Sequence, residues 1–324
     1  MTGGSRPMLV IGEALVDVLA PPTGARSSRP GGSAANVALG LSRLGHAVRL
    51  ATRIGDDAPG RQIREHLEHS GVELAKGSVT GAPTSRAVAR LAADGSATYE
   101  FDLTWNPDPA VVDGAYGSTP VHVHTGSLAT ALGPGNSLVV TAAKRLRAVA
   151  TLSYDPNLRP ALLSEPERER PGVERMVALS DVVKASSEDL AWLHPGVDPH
   201  LIAERWALTG PSLVVLTLGG EGATAFWRHG SYRLPPSPVD VVDTVGAGDA
   251  FMAGLLSGLL HTGLLGVGPA DTTAAARSRR ALRGATASAR LPEALGPALT
   301  FAARVAALTC SRHGADPPTR RDLG

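Results

Sequence analysis

The feature that most restricts the fold is an alternation that recurs along most of the chain. Short apolar runs rich in β-branched residues each end in a polar or glycine turn, and most then give way to helical spacing. Met8–Ile11 closes at Gly12 and leads into 30–45, where Val37, Leu41 and Leu44 recur at helical intervals and Gly45 supplies a stop. Strands are expected again at 46–54, 121–128, 149–154, 181–185 and within 212–223. The intervening segments read as helices: one ending at Gly71, one over Gly135–Arg147, and one opened by the Ser-x-x-Asp/Glu cap of SSEDLAWL, with a last helix over 298–308. Such a pattern predicts an α/β fold, a parallel sheet covered on both faces. The one clear break is Thr84 to Thr104. There Ala87, Ala89 and Leu91, then Tyr99, Phe101 and Leu103, alternate about an Asp94-Gly95 turn, which predicts an inserted hairpin.

Several function classes drop out on composition. Lys and Arg number 31 against 30 Asp and Glu, so the net charge of +1 leaves no footprint for nucleic acid or an anionic membrane. The single Cys310 rules out an intrachain disulfide and suits a reducing compartment. Glu13 and Asp17 interrupt the apolar N-terminal run, so it reads as a strand rather than a signal peptide, and a cytoplasmic location is expected. His66 and His69 lack the HExxH order of a zinc site, and His122 and His124 lack a third ligand nearby. A polar helix face and strand packing are the expected roles for these pairs.

The chemistry concentrates in Val239 to Ser257, VDVVDTVGAGDAFMAGLLS. Val239–Val242 reads as a buried strand end, and a helix follows from Asp249. Glycine at 246 and 248 allows a tight turn and close approach of a ligand. The amides of Gly246, Ala247 and Gly248 then stand at a helix start, where unpaired N–H groups and the helix dipole favour an anion. Asp249 beside such a cradle suits a base that takes a proton from a nucleophile attacking a phosphoryl group. A dinucleotide-binding turn belongs in the first βα unit and would not end in Asp, and no Gly-Lys pair exists for a P-loop.

DTVGAGDAFMAGLL, together with PGGSAANVALGLSRLG at 30–45, resembles the two signatures of the ribokinase-like (PfkB) carbohydrate kinases. The resemblance implies a three-layer fold over 1–324, a single kinase domain with a small β-sheet lid from about 13–30 and 84–104. It implies ATP, Mg2+ and a monovalent cation such as K+, with Asp249 as catalytic base. Asp17, Gly31, Gly32, Ser33, Asn36 and Phe101 would line the sugar pocket. Ser33 and Asn36 could equally cap the helix. DPNLRP places Asn157 and Arg159 near the phosphates, as in the fructokinase and ketodeoxygluconate-kinase branch. Lys184, Thr217, Gly219 and Gly222 fall on the nucleotide side, and CSRHGADPP resembles the adenine-side ending. Ala185 replaces the Asn of the family's Asn-x-x-Glu, leaving Glu188 as an indirect magnesium contact. Asp243 and the Val245 carbonyl match the monovalent-cation loop. The branch points to fructose, with 2-keto-3-deoxygluconate or another small sugar as alternative, and to a homodimer joined through the lid. A sugar-binding regulator without activity would be expected to have lost Asp249.

Overall fold

The computed structural model describes residues 6–324 apart from 22, 24, 92–96, 114–118, 269, 270 and 272; the Asp94-Gly95 turn lies outside the described residues. The strands are β1 (Met8–Ile11), β2 (Leu15–Ala20), β3 (Ser27–Gly31), β4 (Val48–Ala51), β5 (Ile54–Gly55), β6 (Val72–Leu74), β7 (Val79–Thr80), β8 (Arg86–Leu91), β9 (Ala97–Asp102), β10 (His122–Gly126), β11 (Thr151–Asp155), β12 (Val182–Ser186), β13 (Leu213–Thr217), β14 (Ala223–Trp227) and β15 (Gly230–Leu234). The helices are α1 (Ser33–Arg43), α2 (Ala58–His69), α3 (Pro109–Asp113), α4 (Leu128–Ala131), α5 (Gly135–Leu146), α6 (Pro166–Leu179), α7 (Ser187–Leu193), α8 (Pro199–Thr209), α9 (Ala247–His261), α10 (Ala274–Ala285) and α11 (Leu295–Cys310).

Nine strands form the main sheet in the order β15-β14-β13-β12-β11-β10-β1-β4-β6, and β6 through β13 run parallel. Their near-continuous apolar runs are buried because helices cover both faces, giving one hydrophobic cluster on each side of the sheet. The chain leaves β1 for β4 on one side and returns to β10 on the other. That reversal opens a crevice at the C-terminal ends of β1 and β10, where open α/β sheets take their ligands.

A separate sheet, β3-β2-β8-β9, stands beside that crevice. Its β8–β9 register pairs Ala87 with Phe101, as the period-two pattern predicts. Arg53, buried, donates to the carbonyls of Pro83 and Thr104, one at each foot of the β8–β9 hairpin. Among the described residues no helix is long and apolar enough to cross a membrane.

The central element is α9, buried from Asp249 through Leu259. A helix apolar on every side must be surrounded, and α1 and α11 flank it. Cβ atoms on Gly254 and Gly258 would come 2.8 and 2.7 Å from the Cα atoms of Ala302 and Ala298, so small residues bring these backbones together.

Four expectations need correction. Val239–Val242 is a loop and not a buried strand, with Val241 63% and Val242 49% exposed. The Val242 and Asp243 amides donate to the Cys310 carbonyl, which pins the loop to the end of α11 instead of to a sheet. The run at 46–54 divides into β4 and β5 around Thr52 and Arg53. A second antiparallel hairpin, β14–β15, closes one edge of the main sheet, so the 84–104 hairpin is not the sole break. Ser33 and Asn36 do not cap α1, whose N-cap is Gly32 without a side-chain bond.

Candidate active site

Helix α1 and the loop after β11 meet at the crevice on one carboxylate. Asp249, in the first turn of α9 and 6% exposed, accepts from Ser33 Oγ at 2.7 Å on Oδ1 and from Asn36 Nδ2 at 2.8 Å on Oδ2. Asn157 Nδ2, from the loop after β11, reaches Ser33 Oγ at 2.7 Å and Asp249 Oδ1 at 3.3 Å. Arg159 Nη1 donates to Asn157 Oδ1 at 2.6 Å, which fixes which end of that amide faces Asp249. The loop is held from behind by Asp189, which accepts from the Leu158 amide at 2.7 Å while closing the capping box of α7. Burial pushes the Asp249 carboxyl up, while its bonds to Ser33 and Asn36 and the charges of Arg159 and Lys184 pull it down. The outcome is a raised pKa, which makes the group a stronger base than a solvated Asp.

A cavity of about 280 Å³ opens onto Asp249, and Asp17, Gly32, Ser33, Asn36, Phe101 and Arg159 also line it. Its volume and its mix of carboxylate, amide and aromatic groups suit a small polyol. Asp17 projects from β2 with its side chain exposed toward the crevice, and partial desolvation there raises its carboxyl against the charge of Arg159. Gly31 leaves room for this carboxylate, because a Cβ there would push Asp17 Oδ2 out of place. Asp17→Ala and Gly31→Ala are therefore expected to share one signature. Each should raise the sugar KM about ten- to hundredfold, the worth of a charged hydrogen bond, with little change in the nucleotide KM. Equal effects on both KM values would remove Asp17 from the sugar site.

At the start of α9, Gly246 takes φ 75°, and a Cβ there would sit 2.6 Å from Ala315 Cβ. The Ala247 amide is committed to the Thr244 carbonyl at 3.2 Å, which revises the expectation of three amides for a ligand. Gly246 and Gly248 supply the remaining N–H groups, Gly248 in a first turn that helix geometry leaves unpaired. Lys184 Nζ lies 3.4 Å from the place of a Gly248 Cβ and 2.9 Å from Asp155 Oδ2. Burial opposes its charge, but Asp155, with Asp189 and Asp249 near, outweighs burial and raises Lys184. Lys184 thus brings fixed positive charge beneath the helix start from within a buried ion pair.

Thr217 ends β13 with its hydroxyl on the Ala185 carbonyl at 3.3 Å, and Gly219 and Gly222 bracket the turn into β14 at φ 56° and 93°. Glu188 is exposed in the first turn of α7. No group of three or more His, Cys, Asp or Glu side chains gathers to hold a metal among the described residues. Glu188 alone cannot cage a cation, and Mg2+ generally keeps its waters and is held through one or two carboxylates and substrate phosphates. Asp243 accepts the Val245 amide at 3.0 Å and the Gly314 amide at 2.8 Å, and these bonds hold its carboxyl low. It therefore links the 243–246 turn to the chain's last loop. His122 and His124 share Ser153 Oγ at 2.8 Å each, and burial lowers both to about 3, so they are neutral struts of the sheet.

Sequence reasoning passed over Glu13, Ser127 and Asp189 as site residues. All three stand just beyond the C-terminal ends of parallel strands, and that position was the available clue.

A buried carboxylate on the wall of a polyol-sized cavity, in the first turn of a helix, is an arrangement that suits a phosphotransferase. Comparison with known proteins agrees. Residues 7–321 match the model of the pfkB family of carbohydrate kinases. A fructokinase of Rhizobium leguminosarum bv. trifolii is 34% identical over 265 residues, 80% of this chain and 81% of that protein. The structure of a Xylella fastidiosa fructokinase with bound ATP aligns with a TM-score of 0.79 at 27% identity, over 95% of this chain and 93% of that one. A Vibrio cholerae O395 fructokinase in a form with fructose, ADP and calcium ion aligns with a TM-score of 0.74 at 26% identity, over 96% and 94% of the two chains. The chain belongs to the pfkB family of carbohydrate kinases. Its fold is ribokinase-like, and its activity is phosphoryl transfer to a sugar hydroxyl.

Proposed function

We propose that the chain is an ATP-dependent fructokinase that works with Asp249 as base. The observation that carries this reading is the position of Asp249. It lies on the wall of the sugar-sized cavity and in the helix turn that offers Gly246 and Gly248 to an anion. Fructose as acceptor and ATP as donor are supported by the fructokinase relatives and their bound ligands.

In this reading Asp17 and Asn36 hold sugar hydroxyls, and Phe101 packs on the carbon face of the ring. Asp249 accepts the proton of the attacking hydroxyl as the oxygen closes on the γ-phosphorus, a step worth ~10²–10⁴ in rate. The Gly246 and Gly248 amides and the Arg159 guanidinium meet the charge on the transferring phosphoryl oxygens. Lys184 adds to that field from below. Glu188 would hold Mg2+ indirectly, and the ion would supply further neutralisation of phosphate charge. Thr217, Gly219 and Gly222 shape the nucleotide groove, and Asp243 with the Val245 carbonyl would hold a monovalent cation such as K+. The four-stranded sheet is the lid: closing it excludes water and restrains wasteful ATP hydrolysis.

The test is ADP release from MgATP against fructose, 2-keto-3-deoxygluconate, ribose and fructose 1-phosphate. Turnover with fructose at the highest kcat/KM supports the reading. A clear preference for another member moves the acceptor and keeps the chemistry.

A further inference from the structure

Glu13 follows β1 and Gly12, is 7% exposed, and lines the same cavity as Asp249. Its Oε1 accepts the Ser33 backbone amide at 3.1 Å, and its Oε2 is buried without a close partner, with the Ser127 side chain giving it weaker support. Ser33 is the first residue of α1, and its side chain donates to Asp249 Oδ1. One residue is thus gripped at its amide by Glu13 and at its hydroxyl by the base. A buried carboxylate spending one oxygen on a single amide is expensive unless its position or charge serves something else.

We propose that Glu13 is a positioning residue for the phosphoryl transfer: it anchors Ser33 so that the hydroxyl holds Asp249. Gly32, the N-cap of α1, makes no side-chain bond, and Glu13 supplies the acceptor for the first turn from the loop after β1. Ser33 Oγ donates to Asp249 Oδ1 at 2.7 Å and accepts from Asn157 Nδ2 at 2.7 Å. One anchored residue therefore sets both the carboxylate and the amide beside it.

The inference rests on Asp249 acting as the base, and the tests separate the two ideas. Glu13→Gln keeps an oxygen for the Ser33 amide, and its kcat with fructose and MgATP saturating should stay within about threefold of wild type. Glu13→Ala, which frees Ser33, should lower kcat about three- to tenfold, the worth of one hydrogen bond, with MgATP affinity unchanged. Adding Ser33→Ala to Glu13→Ala should cost little further, in kcat and in melting temperature alike.

A loss in Glu13→Gln as large as in Glu13→Ala would overturn the anchoring role, and so would full additivity of Glu13→Ala and Ser33→Ala. If Asp249→Asn turned over normally, the assignment of the base would fail, and the melting temperatures of the Glu13 and Ser33 variants would still decide whether the two residues are coupled.

Discussion

Asp249→Asn is expected to reduce kcat by at least ~10²–10⁴ while leaving MgATP affinity within about twofold. The substitution is nearly isosteric. Its amide oxygen can accept from Asn36, and its NH2 can donate to the Ser33 hydroxyl, with loss only of the long 3.3 Å bond from Asn157 Nδ2. The cavity and the start of α9 therefore keep their shape, and the proton acceptor alone is lost. ADP release with fructose gives kcat, and calorimetric titration of nucleotide gives affinity. Turnover above about a tenth of the wild-type rate would show that proton removal is not what the residue contributes.

Gly246→Val is expected to damage the anion site as severely by another route. At φ 75° a β-branched residue is strained by roughly 1–2 kcal/mol before any contact is considered. The added Cβ would also meet Ala315 at 2.6 Å, so either the turn or the loop after α11 must move. Moving the turn carries the Gly246 and Gly248 amides away from the phosphoryl group, and loss of one such donor costs about 10²–10³ in kcat. The variant should also melt a few degrees lower, and a thermal scan beside the rate assay separates the two effects. Turnover within twofold of wild type would mean that these amides do not carry charge in the transition state.

Much of this arrangement could be read from the chain because the information was local. A parallel strand declares itself by an apolar run and a polar turn, as Met8–Ile11 with Gly12 does. The Gly-Ala-Gly-Asp string fixes both the turn and the acid that follows it. The failures came where partners are distant. Ser33 and Asn36 look like caps in isolation, and only the fold brings in Asp249, 216 and 213 residues away, to claim their donors. Val239–Val242 has strand composition, but the Cys310 carbonyl fixes it as a loop. The β14–β15 hairpin was missed because Ala223–Trp227 follows a glycine turn closely and reads as the tail of β13. Glu13 was read only as an acid breaking an apolar stretch, because its partner Ser33 lies across the β2–β3 excursion.

The packing of α9 also sets where this molecule can breathe. With α1 and α11 pressed against it and glycines admitting the α11 backbone, its amides can exchange with solvent only through the largest opening events. The β2–β3–β8–β9 sheet has far less buried mass behind it, and Arg53 clasps the β8–β9 hairpin only at its feet. Deuterium should therefore label that sheet within seconds to minutes and reach the α9 segment around Asp249 only on the timescale of global unfolding. On the proposed reading the proton acceptor is fixed to the part of the protein that yields last, and opening and closing fall to the part that yields first.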